Sequence, residues 1–343
     1  MCVAGSFRFI KQYPATFCNW FTMSAKPRAN SLQNVRLPRG ALHLAIGMFD
    51  GVHLGHQAVI EAALHSARSC GGTVAVLTFQ PHPSRLFRPM QPTLLIMPPE
   101  QKANFLREFG VDLVIAQPFT RAFARLRAEH FLAYLKKHLP TLTAVYVGEN
   151  FRFGHQRKGD VELLVRTGRE AILNVVSVAR LRHNGRPISS TRIRELLADG
   201  AMAEVNRLLG YAYYCEGRVQ PGLRHGRALG FPTLNVAWEP EALPAFGVYA
   251  VRLRTASGRW RRGVANYGVR PTLEHRQPAR PLLETHLLGT GSAPGPRATV
   301  RIEWLEFIRP EKKFPSVEAL KKQIARDCVT AEKHFKKAVS RSR

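Results

Sequence analysis

The sequence predicts two folded units: an α/β unit with a parallel sheet, then a six-stranded antiparallel β-barrel with a terminal helix. In the first half of the chain, short apolar runs rich in β-branched residues alternate with amphipathic helical segments. This alternation is typical of βαβ units that form a parallel sheet. In the second half, six strand-like runs follow one another with turns between them, which favours a small barrel.

The predicted strands and helices of the first unit alternate in strict order. The strands are Leu42–Ile46, Thr73–Phe79, Val111–Ala116, Thr143–Val147 and Ile172–Val178. The helices are Gln57–Cys70, Pro99–Phe109, Arg127–His138 and Asp160–Gly168. Ligands of such sheets bind beyond the carboxyl ends of the strands. We therefore expect the segments 47–56, 79–83 and 148–154, which each follow a strand, to meet in one cleft.

A helical pair is predicted to connect the α/β unit to the barrel. Ser190 or Thr191 is expected to cap its first helix, Gly200 to end it, and Ala201–Leu209 to form the second helix. The barrel strands are predicted at Tyr213–Val219, Thr233–Val236, Val248–Arg254, Arg259–Ala265, Leu282–Leu288 and Thr299–Phe307. An amphipathic helix from Ser316 is expected to pack on the barrel. The predicted units are 40–187, a connector over 188–210, and 211–343.

The composition indicates a globular protein rather than a membrane protein. Of 343 residues, 45% are apolar, and no apolar run approaches the roughly 18–20 residues that span a bilayer. Five scattered cysteines without a CxxC pair argue against a disulfide framework and a zinc site, and they fit a reducing cytoplasm. These are Cys2, Cys18, Cys70, Cys215 and Cys328.

The formal net charge of +27 has two explanations. One is a surface bias of the source organism, which needs no function. The other is non-specific attraction to nucleic acid or acidic surfaces, which would depend steeply on salt. Because no nucleic-acid motif accompanies the charge, we expect no specific nucleic-acid partner.

The first 49 residues contain no acidic residue. The segment superficially resembles an organellar transit peptide, and a translation start at Met23 is an equally simple account. We expect residues 1–39 to form a disordered basic extension that is dispensable for activity.

The most informative segment is Gly47-Met48-Phe49-Asp50-Gly51-Val52-His53-Leu54-Gly55-His56-Gln57. It reads as the end of a strand, a tight turn and a helix start. A helix start offers free backbone N–H groups and a partial positive charge, so it favours phosphate. Two imidazoles three residues apart add further donors, and Gly55 leaves room for a phosphate to approach the backbone.

This segment resembles the ATP site of the HxGH nucleotidylyltransferases, which have a Rossmann-like domain. In its longer form, GxFDGVHxGHQ, it is similar to the bacterial bifunctional riboflavin kinase/FAD synthetase family. The resemblance covers roughly residues 40–330, with the family's motifs in the expected order. It implies His53 and His56 as catalytic residues. It also implies phosphate-binding positions at Gly47, Phe49, Asp50 and Gly55.

Three further motifs match the family, two in the α/β unit and one at the start of the connector. Thr78-Phe79-Gln80-Pro81-His82-Pro83 is similar to its TFxPHP turn, which implies a phosphate or flavin contact for His82; a packed turn histidine is the alternative. The run 148–154 resembles GxNFRFG, which implies Asn150 as an ATP ligand and Phe151 as a flavin contact; packing of the phenylalanine is equally open.

The third motif, Ile188-Ser189-Ser190-Thr191-Arg192-Ile193-Arg194, resembles the family's ISSTxxR motif. Hydroxyls at a helix start, with a guanidinium one turn later, suit a clamp for the ATP phosphates, because the planar fork of arginine binds phosphate bidentately. The resemblance implies Ser190, Thr191 and Arg194 as phosphate ligands.

In the second half, the run 222–235 is similar to the riboflavin kinase signature G…GRxLGFPTxN. Backbone N–H groups of a glycine-rich loop can surround phosphates, which implies Gly222, Gly226 and Arg227 in ATP binding. Thr233 and Asn235 are neutral oxygen ligands on one face of a strand and suit hydrated Mg²⁺. The sequence departs from the family pattern at three upstream positions: Pro221, Leu223 and His225.

The remaining motifs are GVANYGVRPT at 263–272, LETHLL at 283–288 and EKKF at 311–314. The resemblance implies Glu284 as the general base that accepts the 5′-hydroxyl proton of riboflavin. It implies a flavin contact for Arg270. The loop after Leu288 lacks the pattern that is usual in the family.

The resemblance therefore implies an enzyme that makes FMN from riboflavin and FAD from FMN, with ATP as co-substrate and Mg²⁺ as cofactor. No membrane partner is expected, and the oligomeric state stays open. Two alternatives are a different HxGH enzyme, such as a class I aminoacyl-tRNA synthetase relative, and a flavin- or nucleic-acid-binding protein without activity. The barrel motifs oppose the first, and the joint presence of all the site residues opposes the second.

Overall fold

The structure is a computed structural model that describes residues 28–36, 39–221, 229–255, 258–269, 281–289 and 293–340, with side chains to residue 337. Within these residues, no helix combines the length and the hydropathy that a membrane span requires.

The first unit is a six-stranded parallel sheet in the order β1-β4-β3-β2-β5-β6. Its strands are β1 (Arg28–Ala29), β2 (Leu42–Ile46), β3 (Thr73–Gln80), β4 (Leu113–Pro118), β5 (Leu142–Gly148) and β6 (Asn174–Val178). Its helices are α1 (Leu54–Ser69), α2 (Pro83–Phe87), α3 (Pro99–Glu108), α4 (Arg121–Ala124), α5 (Phe131–His138) and α6 (Val161–Glu170). The predicted α/β unit is thereby confirmed.

The sheet is covered on both faces because neighbouring residues of each central strand point in opposite directions. Leu44 of β2 packs in a cluster with Phe131 of α5, whereas Ala45 packs in a second cluster with Ile60 of α1. Strands buried on both faces read as nearly continuous apolar runs, which is why the sequence reveals them.

The edge strand β1 was not predicted, and the expectation of a disordered segment over 1–39 is wrong for residues 28–34. Arg28 and Ala29 pair with Val114 and Ile115 of β4. Leu32 is 1% exposed, and its backbone N–H donates to Gln117 Oε1 at 2.8 Å. Burial of an apolar side chain and a long-range hydrogen bond hold this part of the extension on the sheet. Residues 1–27 lie outside the described residues.

The connector starts with the hairpin β7 (Arg182–His183) and β8 (Arg186–Pro187), followed by α7 (Ser190–Ala198) and α8 (Met202–Leu209). Ser189 is the N-cap of α7, so the prediction of Ser190 or Thr191 is wrong by one or two residues. The Ser189 hydroxyl accepts a hydrogen bond from Arg192 N at 3.3 Å. This leaves the hydroxyl of Ser190 for another contact.

The second unit is a closed six-stranded antiparallel barrel, as predicted, and its strand order is β10-β13-β12-β11-β14-β9. The strands are β9 (Tyr214–Gln220), β10 (Thr233–Val236), β11 (Gly247–Thr255), β12 (Trp260–Val269), β13 (Pro281–Leu287) and β14 (Thr299–Pro310). Large aromatic side chains fill its interior, among them Tyr249, Tyr267 and Trp304. Helix α9 (Val317–Ser340) packs Ala331 and Phe335 on the outer face of the barrel.

Candidate active sites

The turn between β2 and α1 has an unusual backbone. Phe49 and Val52 have φ values of 50° and 33°, in the left-handed region that a β-branched residue such as Val rarely adopts. A side chain at Gly47 would come within 3.1 Å of the Phe49 ring. The carbonyl of Val52 accepts from Gln57 Nε2 at 2.7 Å. Such conformations persist only where the surroundings hold them, and they concentrate at functional sites.

His53 and His56 form a stacked pair at the start of α1. His53 is the N-cap, and its Nδ1 accepts a hydrogen bond from His56 N at 3.3 Å. The ring centroids are 3.6 Å apart and the ring planes differ by 14°. A side chain at Gly55 would come within 3.3 Å of the His53 ring, so a glycine there leaves the ring uncrowded.

Both imidazoles are neutral near pH 7. Burial, together with the charges of Arg194 and Arg180, lowers the pKa of His53 to about 4. Burial also lowers the pKa of His56, as do the charges of His53 and Lys102. Nδ1 of His56 is buried, and no hydrogen-bond partner for it lies within the described part of the chain. A neutral imidazole with a free nitrogen can donate to or accept from a ligand.

A cavity of about 320 Å³ opens beside these rings at the carboxyl edge of the sheet. Nine residues predicted from the sequence line it: Gly47, Phe49, His53, Gly55, His56, Asn150, Phe151, Ser190 and Thr191. The structure thus brings together segments that follow β2 and β5 with the start of α7. At this volume, the cavity is in the usual range for small-molecule sites.

Of the residues predicted for this cleft, Asp50, His82 and Arg194 are not among those that line the cavity. His82 is the N-cap of α2, where its Nδ1 accepts from Ser84 N at 3.1 Å. Asp50 is 3% exposed, and its Oδ2 lies 2.5 Å from Nη2 of Arg194. A buried carboxylate in this position repels phosphate, so its geometry indicates a role in holding the turn.

Sequence reasoning missed Arg180 and Lys102. Arg180 lines the cavity two residues after β6 ends, so the rule on carboxyl ends of strands could have found it. Lys102 is buried in α3, where it stands four residues before Leu106 on the inward face. Its position in an apolar stripe was the available signal.

A second group of polar side chains lies on the outer face of the barrel. Asn235 of β10 stands opposite Glu284 of β13, which in turn stands opposite Asn266 of β12. The two residues that flank Glu284 on β13, Leu283 and Thr285, are fully buried in the barrel. Because side chains alternate along a strand, Glu284 points outward. Thr233 lies two residues before Asn235 on the same face.

Asn235 is 7% exposed, and its Oδ1 has no hydrogen-bond partner among the described residues. A buried, unpaired carbonyl oxygen costs free energy unless a bound ligand or cation interacts with it. An amide oxygen is a ligand that Mg²⁺ accepts, so the residues present fit a divalent cation. The predicted contacts of Gly222, Gly226, Arg227 and Arg270 lie outside the described residues.

The two groups belong to different units, which share a buried apolar cluster that joins Ile96 and Ile193 to barrel residues such as Trp304. Hydrogen bonds also join the units. Leu95 N donates to Glu241 Oε2 at 3.0 Å, and Ala242 N donates to Leu95 O at 3.1 Å. Gln101 Nε2 donates to the carbonyl of Tyr214 at 3.1 Å. None of these contacts involves the histidine pair or Glu284.

Comparison with known proteins places each group in a recognised domain. A family model described as FAD synthetase matches residues 38–192, and one described as riboflavin kinase matches residues 209–335. The bifunctional riboflavin kinase/FMN adenylyltransferase of Escherichia coli (strain K12) is 38% identical over 299 residues, which cover 87% of this chain and 94% of that protein. The protein of the same name from Bacillus subtilis (strain 168) is 35% identical and covers 85% of this chain and 92% of its own length.

A solved structure titled macrolide-efflux protein from Streptococcus pneumoniae has the same overall fold. Its TM-score is 0.80 at 28% identity, and the match covers 89% of this chain and 98% of that one. Two family models, one over each unit, and relatives matched over more than nine-tenths of their length show that the chain belongs to the bifunctional riboflavin kinase/FMN adenylyltransferase family.

Proposed function

We propose that this chain phosphorylates riboflavin with ATP to give FMN and then adenylylates FMN with a second ATP to give FAD and pyrophosphate. The observation that carries the proposal is the presence of two separate sites in one chain. One is the cleft beside the stacked His53 and His56, and the other is the row of Asn235, Glu284 and Asn266 on the barrel.

In the cleft, an oxygen of the FMN phosphate attacks the α-phosphorus of ATP as the bond to pyrophosphate breaks. Such transfers depend on positioning and on stabilisation of developing charge rather than on a covalent intermediate. Neutral His53 and His56 would donate hydrogen bonds from their rings, next to the free N–H groups at the start of α1. Arg180 in the cleft wall adds positive charge.

Arg194 is proposed to reach the phosphates only after ATP has entered. In the structure its Nη2 contacts Asp50, and its Nε donates to the carbonyl of Leu94 at 2.6 Å. The hydroxyl of Ser190 donates to the carbonyl of Asp50 at 2.9 Å. The contacts of Arg194 and Ser190 with Asp50 join α7 to the turn before α1. An exchange of partners by Arg194 would bring the guanidinium to the leaving pyrophosphate.

On the barrel, Glu284 would accept the proton of the riboflavin 5′-hydroxyl as that oxygen attacks the γ-phosphorus of ATP. Thr233 and Asn235 would hold Mg²⁺, which supplies charge neutralisation of the ATP phosphates. Since Asn235 and Glu284 are direct partners across β10 and β13, the cation and the base would lie side by side.

We also propose that the enzyme works in the cytoplasm and that the two catalytic units meet at α7 and α8. Support for the first point is that Cys70, Cys215 and Cys328 are free thiols. Cys215 is buried, and burial raises its pKa to about 12, so this thiol is inert.

The direct test is to incubate the purified protein with riboflavin, ATP and Mg²⁺ and to separate the flavins by chromatography. The expected result is FMN followed by FAD. A protein that binds flavin but forms neither product would instead be a binding protein. If no flavin product forms, a second incubation with amino acids, ATP and Mg²⁺ is needed, and formation of an aminoacyl-adenylate with release of pyrophosphate there would point to a different HxGH enzyme.

A further inference from the structure

Lys102 places a positive charge beneath the turn between β2 and α1. Its Nζ donates to the carbonyl of Met48 at 2.9 Å and to Thr78 Oγ1 at 2.8 Å, and the residue is 8% exposed. In the described part of the chain, no carboxylate lies at ion-pair distance from this ammonium. Buried lysines without a close counter-ion are rare, because removal of the charge from water is costly.

The carboxylate of Asp50 contacts Arg194 and also feels the charge of Lys102. Its carboxylate accepts hydrogen bonds from Ile96 N at 3.0 Å and Met97 N at 3.4 Å, in addition to Arg194. Burial raises the pKa of Asp50, and the charges of Arg194 and Lys102 act in the opposite direction. Two cations therefore neutralise one buried carboxylate, although only one of them touches it.

The proposed adenylylation requires Arg194 to leave that carboxylate. A buried charge that loses its counter-ion is strongly destabilising. When Arg194 moves to the phosphates, Lys102 is the cation that still acts on Asp50. The backbone amides of Ile96 and Met97 keep their hydrogen bonds to the carboxylate, so nothing else in the turn has to move.

We infer that Lys102 is a positioning residue for adenylylation: its buried ammonium neutralises Asp50 and holds the Met48 carbonyl while Arg194 transfers from Asp50 to the phosphates of ATP. The inference rests on the proposed function of the cleft. It assigns Lys102 no contact with substrate. Its effect reaches the reaction through the turn that precedes His53 and through the freedom of Arg194.

Lys102 can lose its proton within the ordinary pH range of enzyme assays. Its pKa is lowered to about 8, mainly by burial and also by the charge of Arg28, while the charge of Asp50 acts in the opposite direction. The other titratable groups that respond to Lys102 are His56 and His82, whose pKa values lie well below this range. As the pH rises through about 8, Lys102 loses its proton and Asp50 then depends on Arg194 alone.

The test compares the ATP dependence of FAD synthesis from supplied FMN in wild type, Lys102→Met, Asp50→Asn and Asp50→Asn/Lys102→Met. Methionine keeps the length of the side chain without its charge. We expect KM for ATP to rise about tenfold in Lys102→Met, since Asp50 retains Arg194 more strongly. The double variant should return to within about threefold of Asp50→Asn, because no carboxylate is left to hold the arginine.

The matched control is Lys136→Met. Lys136 is a partly buried lysine of the same unit whose Nζ donates to the carbonyl of Ala171 at 2.6 Å. The Lys136→Met variant should leave KM for ATP unchanged. In Lys102→Met, riboflavin phosphorylation should be unchanged. A double variant whose KM for ATP is about tenfold above that of Asp50→Asn, or an equal loss of kinase activity in Lys102→Met, would reduce Lys102 to a structural role and overturn the inference.

The pH profile supplies a second readout. Wild-type FAD synthesis should decline above pH 8 while FMN synthesis does not, and this decline should be absent in Lys102→Met. If that variant does not fold, the wild-type profile decides: an FAD rate that stays level to pH 9.5 overturns the inference. Failure of the wild type to form any FAD contradicts the proposed function, whereas an active wild type with an unaffected Lys102→Met contradicts this inference alone.

Discussion

His53 and His56 stack with their ring centroids 3.6 Å apart, and both imidazoles are in the neutral form at neutral pH. Burial is the main cause, because it disfavours the charged form of an imidazole. Two charged imidazoles at this separation would also repel each other. The pair therefore has a consequence for stability that can be measured without substrate.

The free energy of unfolding should fall as the pH drops from about 6.5 to about 4. The pKa of His53 is about 4 in the folded protein against 6.5 for an ordinary histidine, so in this range the unfolded chain binds a proton that the folded chain does not. The contribution of His53 amounts to about 3 kcal/mol. It is fully present above pH 6.5 and is lost on acidification.

The measurement is urea unfolding of wild type and His53→Asn at several pH values. Asparagine can cap α1 in the same way but does not titrate. The variant should therefore lose less stability than wild type between pH 6.5 and pH 4. Identical pH slopes for the two proteins would show that His53 is not held neutral by its burial.

Asn235→Leu should abolish most kinase activity without destabilising the fold. The Oδ1 of Asn235 is buried and unpaired in the described structure, so its removal deletes an unfavourable group rather than a hydrogen bond. We expect the rate of FMN formation to fall more than tenfold and the free energy of unfolding to change by less than about 1 kcal/mol. Flavin chromatography and urea unfolding report the two quantities.

Asn206→Leu is the matched control for that variant. The side chain of Asn206 accepts from Tyr213 N at 2.7 Å and donates to the carbonyl of Trp304 at 2.8 Å. Its loss should cost about 2 kcal/mol of stability or more, because both partners are left unpaired. Equal destabilisation by the two substitutions would argue against Asn235 as a ligand held ready for a cation.

A truncation that begins at Arg36 should be less stable than one that begins at Ala25. The longer protein keeps Leu32, which is 1% exposed, and keeps β1 on the edge of the sheet. Burial of one leucine side chain is worth about 1.5–3 kcal/mol. Thermal unfolding of both proteins measures the difference, and equal melting temperatures would mean that β1 adds nothing to the sheet.

The basic surface should be incidental to catalysis. Flavin turnover should change only modestly between low and physiological salt, whereas any retention of DNA or RNA should fall steeply, since counterion release dominates such binding. Filter binding in a salt series measures the second quantity. Tight nucleic-acid binding that survives several hundred millimolar salt would contradict this prediction and assign the charge of +27 a function.

Much of the fold is readable from the sequence because its signals are local. The strand Leu42–Ile46 has the predicted bounds, and so does Thr233–Val236. Apolar runs report such strands directly. The strand Arg28–Ala29 has only two residues, too few for any periodicity, and it forms because β4 offers a free edge.

The cleft residues that follow a strand could likewise be predicted, whereas the pairs that join distant segments could not. Asp50 and Arg194 are separated by 144 positions, and only the fold reveals that the first holds the second. From its residue type alone, Lys102 would be expected at the surface. Its place in the apolar stripe of α3 is a local signal of burial, but its partners Met48 and Thr78 lie on other segments, and only the fold brings them to it.

The central claim is that one chain carries two chemically independent active sites. Flavin chromatography of two variants tests it most directly. The variant with both His53→Ala and His56→Ala should accumulate FMN from riboflavin but form no FAD. Glu284→Gln should lower FMN synthesis by roughly 10²–10⁴-fold, the usual scale for loss of a general base, and should still form FAD from supplied FMN. If either protein, while folded, loses both activities, or if Glu284→Gln keeps the full kinase rate, the account is contradicted.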